Sequence, residues 1–573
     1  MTTSELKAAL TGAVRGEVVD DAETLKANSR DASLFMRVPQ VVVYPEDAED
    51  VSAMVKKVQE IRGKGQDVSV TARAAGTDMS GGPLTTGIVV SFTKHMNKMG
   101  KVGTTSPEDG LRSAQIAGTA ICEPGVYYRD FEKATLEKDL ILPSYPASRE
   151  LAAMGGIVAN NSAGERTLEY GQTERYIEEL DVVLSDGSSA TFGPLTPAEL
   201  EEKKKLTTLE GDIYRTMDAL VSDNAALIEQ HRPKVSKNSA GYGLWRIRDP
   251  KSGTFNLAKL ICGSQGTLAL WTRAKLKLVK PKAHRAMMVV FLNDLKILPE
   301  IVLRVLRFNP ESFESYDKHT FELAIKFLPA MLSQMGWAKA ARLGIDFIPE
   351  AALMATGGVP ELILMAEFAE DTIEEADRKA QEAKDELADF NLTIKIEKNE
   401  KESEKYWIVR RESFSLLRKN MHNLYPAPFI DDFVVPPSSY PDFLPKLNAL
   451  LDQYKEHMIY TIAGHVGNGN FHLIPLMDLT KEENRKIILE LAPKVYELVI
   501  AEGGTTTGEH NDGIIRTPYL PMLFGAEMVK LFEETKKIFD PLNIFNPGKK
   551  VSLPGAGGTF ADIERDMIKE NTH

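Results

Sequence analysis

The chain has 573 residues, 43% of them hydrophobic and 26% charged, with a formal net charge of -13. That length exceeds one hydrophobic core and predicts two or three domains. The acidic balance excludes nucleic acid as the main partner, because phosphate neutralisation needs a basic face. Two cysteines, Cys122 and Cys262, are too few for an internal iron–sulfur cluster or a cysteine-rich zinc site, and fit a reducing compartment. No apolar stretch follows a basic start, and no apolar run approaches roughly 18 residues, so neither a signal peptide nor a transmembrane segment is expected. The expected location is cytoplasmic, with peripheral membrane association left open.

In chain order, residues 41–45 read as a strand and 46–59 as a helix. Strands follow at 68–71 and 87–92, separated by a glycine-rich loop, and again at 113–119 and 180–184. The charge run from Glu199 to Lys205 is a solvated helix face. Pro281 marks a change of texture, after which helices and strands carry more charge, including a long helix over 371–389. An amphipathic helix spans 524–539.

Two C-terminal segments carry chemistry. In the run His465-Val-Gly-Asn-Gly-Asn-Phe-His472, the dipeptide Asn468-Gly469 predicts a two-residue type I′ hairpin turn. That turn would set His465 opposite His472 on one sheet face, at a spacing that suits two imidazoles on one metal ion. The alternative is two histidines in an ordinary hairpin. The second segment, residues 503–513, crowds glycines and threonines around Glu509 and His510 and reads as a constrained loop. Its carboxylate and third histidine could complete a two-histidine, one-carboxylate site; the alternative is a polar loop whose glutamate caps the next helix.

No Gly-x-Gly-x-x-Gly follows a strand and opens a helix, so the Rossmann fingerprint is absent, as is a P-loop lysine. Three loops of small residues stand instead, at 76–82, 154–164 and 263–267. Any one is an ordinary turn; together they suggest a long cofactor whose phosphates rest on backbone amides.

These segments, in this order and spacing, resemble the FAD-linked D-2-hydroxy acid dehydrogenases, the D-lactate and glycolate dehydrogenase branch of the vanillyl-alcohol oxidase flavoprotein superfamily. The resemblance covers roughly residues 35 to 550. Arg73–Gly82 is similar to the family's pyrophosphate loop, Met154–Gly171 to its second flavin segment, and Gly263–Leu268 to its Gly-Ser-Glu-Gly-Thr-Leu signature, with Gln265 in place of glutamate. The resemblance implies an α+β fold: a two-subdomain FAD-binding domain plus a cap domain with an antiparallel sheet and flanking helices. The domain plan it implies is an extension over 1–34, the FAD domain over 35–282, the cap over 283–520, and a segment over 521–573 returning to the FAD domain. The implied FAD contacts are Arg73, Ala75, Gly76, Thr77, Asp78, Met79, Ser80 and Gly81 in the first loop. In the second region they are Pro143, Gly155, Gly156, Asn160, Ser162, Ala163, Gly164, Tyr170 and Gly171, followed by Gly263, Gln265, Gly266 and Asn546. The pyrophosphate loop has neither the histidine that some members bond to flavin nor a cysteine, so FAD is expected to be non-covalent.

The resemblance further implies His465, His472 and Glu509 as ligands of a divalent metal, zinc or manganese, His510 as the base, and Arg410 as the partner of the substrate carboxylate. A salt bridge from a helix is the alternative for Arg410, and Arg411 is its competitor. Ile430 and Ile474 stand where the D-2-hydroxyglutarate branch has a lysine and an asparagine, which favours a monocarboxylate such as D-lactate. Should the substrate be a dicarboxylate instead, Arg411 or Arg516 is the candidate for its second carboxylate. Electrons would leave through a separate acceptor: a quinone, oxygen, an iron–sulfur subunit or an electron-transfer protein. A homodimer is compatible with the sequence. Competing functions are D-2-hydroxyglutarate oxidation, other flavin chemistry such as alcohol oxidation or alkyl transfer, and flavin binding without catalysis.

Overall fold

The computed structural model describes residues 1–104, 116–318, 320–322, 358–398, 402–410 and 424–569. Arg411 lies outside the described residues.

The first sheet comprises β1 (Glu17–Val19), β2 (Val41–Tyr44), β3 (Val70–Arg73) and β4 (Ile88–Ser91), in the order β1-β2-β4-β3. Its β-branched residues Val41, Val43, Val70, Ile88 and Val90 are fully buried. Helix Ala48–Gly63 covers it. Asp47 caps that helix by accepting from the Glu49 and Asp50 amides, and Val51, Met54, Val55, Val58 and Ile61 form its buried stripe. Strands β3 and β4 are parallel, so the chain between them must cross from one end of the sheet to the other. The first small-residue loop makes that crossing and therefore sits at the carboxyl end of β3. Residues 1–34, expected as an extension, contribute the edge strand β1 and pack against this sheet.

The second sheet is antiparallel. It takes β5 (Met99–Thr104), β6 (Ile116–Cys122), β7 (Ile177–Val183), β8 (Ser189–Phe192) and, after the short pair β9 (Pro194–Leu195) and β10 (Phe255–Asn256), the long β11 (Leu270–Val279), in the order β5-β6-β11-β7-β8. Helix Leu520–Phe539 packs against its core through Phe524, Met528, Phe532 and Phe539, bending at Gly525, whose φ is 73°. The chain beyond returns to the first sheet, where Asn546 N donates to Val70 O.

The third sheet has eight strands: β12 (His284–Leu292), β13 (Ser312–Asp317), β14 (Leu362–Glu370), β15 (Thr393–Glu397), β16 (Tyr425–Pro426), β17 (Phe433–Val434), β18 (Ile459–His465) and β19 (Asn470–Met477). Its pairings are antiparallel, in the order β15-β12-β14-β13-β18-β19-β16, with β17 also on β19. One face packs on helices Leu298–Leu306, Ile373–Asp385, Tyr440–Leu451 and Glu482–Ala501. The other carries Met287, Tyr316 and Met365 against Tyr406 and Trp407 of a helix over 402–410.

Two expectations need correction. The β18–β19 connection is not a two-residue type I′ turn. Val466–Asn468 form a 3-10 turn, and Gly469 alone of the pair has positive φ, at 74°. A Cβ on Gly469 would run into Val435 O, so both the conformation and the space demand glycine. His465 therefore pairs with Asn470, and His472 with Ala463. The shift is two residues, an even number, so His465 and His472 keep the same face and become diagonal rather than opposed neighbours. Second, Met154–Asn160, expected to be loop, is a short helix ended by Asn161 at φ 53°. Its glycines are packing sites as well as flexible ones, since a Cβ on Gly155 would crowd Ala74 Cβ and Pro124 O.

Candidate active site

A cavity of about 1300 Å³ lies between the small-residue loops and the third sheet. Arg73, Ala75, Gly76, Thr77, Asp78 and Met79 line it from the first loop; Gly155, Gly156, Asn160, Ser162 and Ala163 from the second; and Gln265 and Gly266 from the third. The remaining expected contacts, Ser80, Gly81, Pro143, Gly164, Tyr170, Gly171, Gly263 and Asn546, are not part of this wall. Several of them brace it. Asp78 Oδ2 accepts from Ser80 Oγ at 2.7 Å and from Gly82 N at 2.7 Å, closing the first loop on itself. Its Oδ1 accepts from Asn160 Nδ2 at 2.8 Å, which joins the first loop to the second. Asn546 Nδ2 donates to Gly82 O and to Gln265 O, and Gln265 Nε2 to Ser80 Oγ, so the tail locks the first loop to the third. Tyr170 is buried, and its carbonyl accepts from Tyr176 Oη. The chemistry of this wall fits a dinucleotide: long, built of small side chains, and rich in main-chain polar groups near loops with positive φ.

At the sheet side of the same cavity stand His472, Glu509, His510 and Arg410, with His465 buried just beneath. The His465 and His472 rings are 5.2 Å apart, and those of His472 and His510 are 5.0 Å apart. All three Nε2 atoms converge on Glu509 Oε1, at 3.3, 3.1 and 3.8 Å for His465, His472 and His510. Two ligand atoms each about 2.1 Å from one tetrahedral ion stand about 3.4 Å apart, so this spacing fits a shared cation. The opposite ring nitrogens are all held by carboxylates. His465 Nδ1 meets Glu314 Oε1 at 2.7 Å; His472 and His510 Nδ1 meet the two oxygens of Asp431 at 3.1 and 2.6 Å. A carboxylate behind each imidazole is how proteins aim histidines at a metal.

Asp432 also falls within 4.8 Å of His472, Glu509 and His510, whereas His465 lies outside that grouping. We nevertheless assign Asp432 to the scaffold, because its oxygens already accept from Asn470 Nδ2, Thr507 Oγ1 and the Glu509 and His510 amides. This staple turns the 503–513 loop inward and brings Glu509 and His510 onto one wall.

Electrostatics follow from burial. Burial pushes the Glu509 pKa up, but Lys237 and His465 outweigh it and hold this carboxyl well below the usual range. For His472, burial pulls the pKa down, yet hydrogen bonds to Asp431 and Glu509 raise it to about 10. His510 shows the same opposition: burial lowers its pKa, and Asp431 and Asp432 raise it overall. A bound cation would act against both rises.

Arg410 pairs with Glu314, which is the salt-bridge alternative, yet it remains on the cavity wall and its buried Nε has no hydrogen-bond partner among the described residues. Arg516 is excluded as a carboxylate receptor: it is fully buried and donates to Asn511 O and Asp431 O. Ile474 faces the cavity, but Ile430 is buried in the core and does not line it.

Four functional neighbours escaped the sequence reasoning: Glu314, Asp431, Asp432 and Lys237. Asp431-Asp432 had a signal, two adjacent acids inside an apolar run, which burial permits only with partners. Lys237 had none. It is 0% exposed, with Nζ 3.3 Å from Glu509 Oε2.

The FAD binding domain family matches residues 39–193, and the C-terminal domain of FAD linked oxidases matches residues 281–550. The chain is 28% identical over 564 residues to a D-2-hydroxyglutarate dehydrogenase of Pseudomonas putida, with 98% of this chain and 53% of that protein covered. It is 27% identical over 513 residues to a D-lactate dehydrogenase of Archaeoglobus fulgidus, covering 89% and 91%. The chain spans about half the length of the D-2-hydroxyglutarate dehydrogenases it matches. The solved structure of p-cresol methylhydroxylase with substrate bound aligns with a TM-score of 0.65 over 96% of this chain and 97% of that one, at 15% identity, which shows a common fold. The chain thus has a vanillyl-alcohol oxidase type of fold and belongs to the FAD-linked oxidase family that includes the D-2-hydroxy acid dehydrogenases.

Proposed function

We propose that this chain oxidises a D-2-hydroxy acid to the 2-oxo acid, using non-covalent FAD and one divalent cation, zinc or manganese, at His465, His472 and Glu509. The observation that carries this reading is the convergence of three imidazole nitrogens on Glu509 Oε1 in the wall of a cavity shared with the flavin loops. When bound, the flavin supplies a hydride acceptor and the cation polarises the substrate hydroxyl.

The protein's own groups do the rest. Arg410, on the cavity wall, receives the substrate carboxylate, a group whose geometry a guanidinium matches. His510 takes the hydroxyl proton on Nε2, since its Nδ1 is committed to Asp431. Asp431 fixes that tautomer and stabilises the imidazolium that forms, as the carboxylate of a catalytic triad does. Glu314 shares its charge between His465 and Arg410, so the metal ligand and the carboxylate receptor are positioned by one side chain.

Besides Arg410, His472, Glu509 and His510, the cavity lining includes Ala463, Ile474, Leu424 and Pro426 with Thr320 and Tyr425, a mostly apolar set that suits a small apolar substituent of the D-lactate kind. D-2-hydroxyglutarate is the second reading, favoured by the Pseudomonas putida relative. With two cysteines in the chain, electrons leave through a separate acceptor, a quinone, an iron–sulfur subunit or an electron-transfer protein. Among the described residues no helix is long and apolar enough to cross a membrane. The test is anaerobic bleaching of the purified protein's flavin by a panel of D- and L-2-hydroxy acids. Bleaching by D-2-hydroxy acids alone is expected, and a flavin unmoved by any of them would refute the proposal.

A further inference from the structure

Two segments outside the family domains meet at the cofactor cavity. Residues 28–37 precede the FAD-binding match, and residues 559–569 follow the C-terminal match. They are joined by Met36 N to Asp566 O and Ile568 N to Leu34 O, both at 3.0 Å, and by Arg37 Nε to Asp566 Oδ2 at 2.7 Å. Ala32 N donates to Asp78 O at 2.8 Å, fastening this clasp to the first flavin loop. The clasp thereby sets Asp31, Ser33 and Ile568 on the cavity wall.

Asp31 is left with an unmet need. Its Oδ1 accepts from Ser33 N at 2.9 Å and from Ser33 Oγ at 2.5 Å, while Oδ2 is buried with no hydrogen-bond partner. Arg73, on the same wall, donates Nη2 to Arg30 O at 2.7 Å, and its Nη1 is likewise buried and unpartnered. A Cβ on Gly76 would run into this guanidinium, so glycine there lets Arg73 fold over the loop. Buried polar atoms left unpaired are rare and costly, and two of opposite character on one cavity wall call for a ligand with matching groups. Burial, then the charge of Asp78, raises the Asp31 pKa to about 7, because Ser33 and Arg73 do not offset the cost of burying its charge, and a ligand group donating to Oδ2 would favour the charged form.

We infer that Asp31 is a cofactor-positioning residue: its Oδ2 accepts from a sugar-chain hydroxyl of the flavin dinucleotide while Arg73 Nη1 donates to the adjoining phosphate. The terminal clasp is then part of the FAD site, although it lies outside the residues that match the FAD binding domain family. The inference rests on FAD being the cofactor.

The test is titration of flavin-stripped protein with FAD, followed by flavin fluorescence, for the unaltered chain and Asp31→Asn. A hydrogen bond to a charged group supports about a tenfold or greater rise in Kd for the variant. The melting temperature of the flavin-free variant should match that of the flavin-free parent, and only the holo-protein should melt lower. Parallel titrations with FMN and with ADP assign the hydroxyl: a penalty carried over to FMN places it on the ribityl chain, and one carried over to ADP on the ribose. Arg37→Met, which loosens the clasp without touching the cavity, should also weaken FAD binding. An FAD Kd for Asp31→Asn within twofold of the parent, or flavin-free protein destabilised as much as holo-protein, overturns the inference. Failure of the unaltered protein to take up FAD overturns the flavoenzyme reading as well, and is seen before any variant is made.

Discussion

Asp431→Asn is the sharpest perturbation of the proposed site, because one buried carboxylate serves two histidines. Its oxygens meet His472 Nδ1 at 3.1 Å and His510 Nδ1 at 2.6 Å, and it is 0% exposed. An amide of the same shape can accept from only one of these rings. Its NH2 would face the other Nδ1–H, donor against donor, and that ring must change tautomer. The proton then sits on Nε2, the atom aimed at Glu509, where it blocks both metal ligation and proton acceptance. Losing an outer carboxylate behind a metal-bound histidine costs about 10–100-fold in metal affinity or activity, which is about 1.4–2.7 kcal/mol. Because both the ligand His472 and the base His510 are affected, the flavin reduction rate should fall by at least the upper figure, about 100-fold. Metal content after dialysis, and rapid-mixing flavin reduction with a D-2-hydroxy acid in the absence of oxygen, measure the two effects separately. The flavin spectrum should be unchanged, since Asp431 is not on the cavity wall. Metal content and reduction rate both within threefold of the parent would show that Asp431 does not orient these rings for catalysis.

Other outcomes separate the roles further. His510→Ala should keep metal and FAD while flavin reduction slows about a hundred- to ten-thousandfold; near-normal reduction with metal bound would remove His510 from the mechanism. Glu509→Ala, or chelation of the parent, should abolish turnover and metal binding together while the flavin absorbance survives, and activity surviving complete chelation would exclude a catalytic cation. Acid precipitation should release yellow flavin with the mass of FAD, and flavin retained in the pellet would mean a covalent link. Steady-state comparison should give D-lactate and D-2-hydroxybutyrate higher kcat/KM than D-2-hydroxyglutarate, with Ile474→Asn narrowing the gap. A preference for the dicarboxylate in the parent chain would show that a polar group other than Ile474 receives its second carboxylate.

What could be read from sequence was local. The hairpin between His465 and His472 follows from strand alternation around a glycine that must take positive φ, so the shared face was legible. The register was not, because Val466–Asn468 form a 3-10 turn where a two-residue turn was expected, and Val435 packs against the tip from a distant segment. The glycines of Met154–Asn160 suggested loop by propensity, but tertiary packing holds them in a helix. Ile430 was matched to a polar family position, yet it is buried in the core, which leaves only Ile474 to argue about substrate. The carboxylates behind the histidines come from strands and loops far away in the chain. Glu314 lies 151 residues from His465, and no local pattern announces such a partnership.

The contact between Lys237 and Glu509 bears on where this protein can be divided. Lys237 belongs to the stretch between the two recurrent family domains, and neither of them includes it. It reaches across 272 residues to neutralise the acid on which three imidazoles converge, and it also donates to Gly164 O and Asn470 Oδ1. Recurrent domains and units of charge balance therefore do not coincide. A recombinant fragment beginning at residue 281 would carry every histidine of the cluster but lose Lys237, the one lysine that pairs with Glu509 among the described residues. Such a fragment should be a poor metal binder and a reluctant folder, however autonomous its boundaries look. Chimeras that swap caps between relatives face the same constraint, and the residue to carry over with the cap is a lysine from the other side.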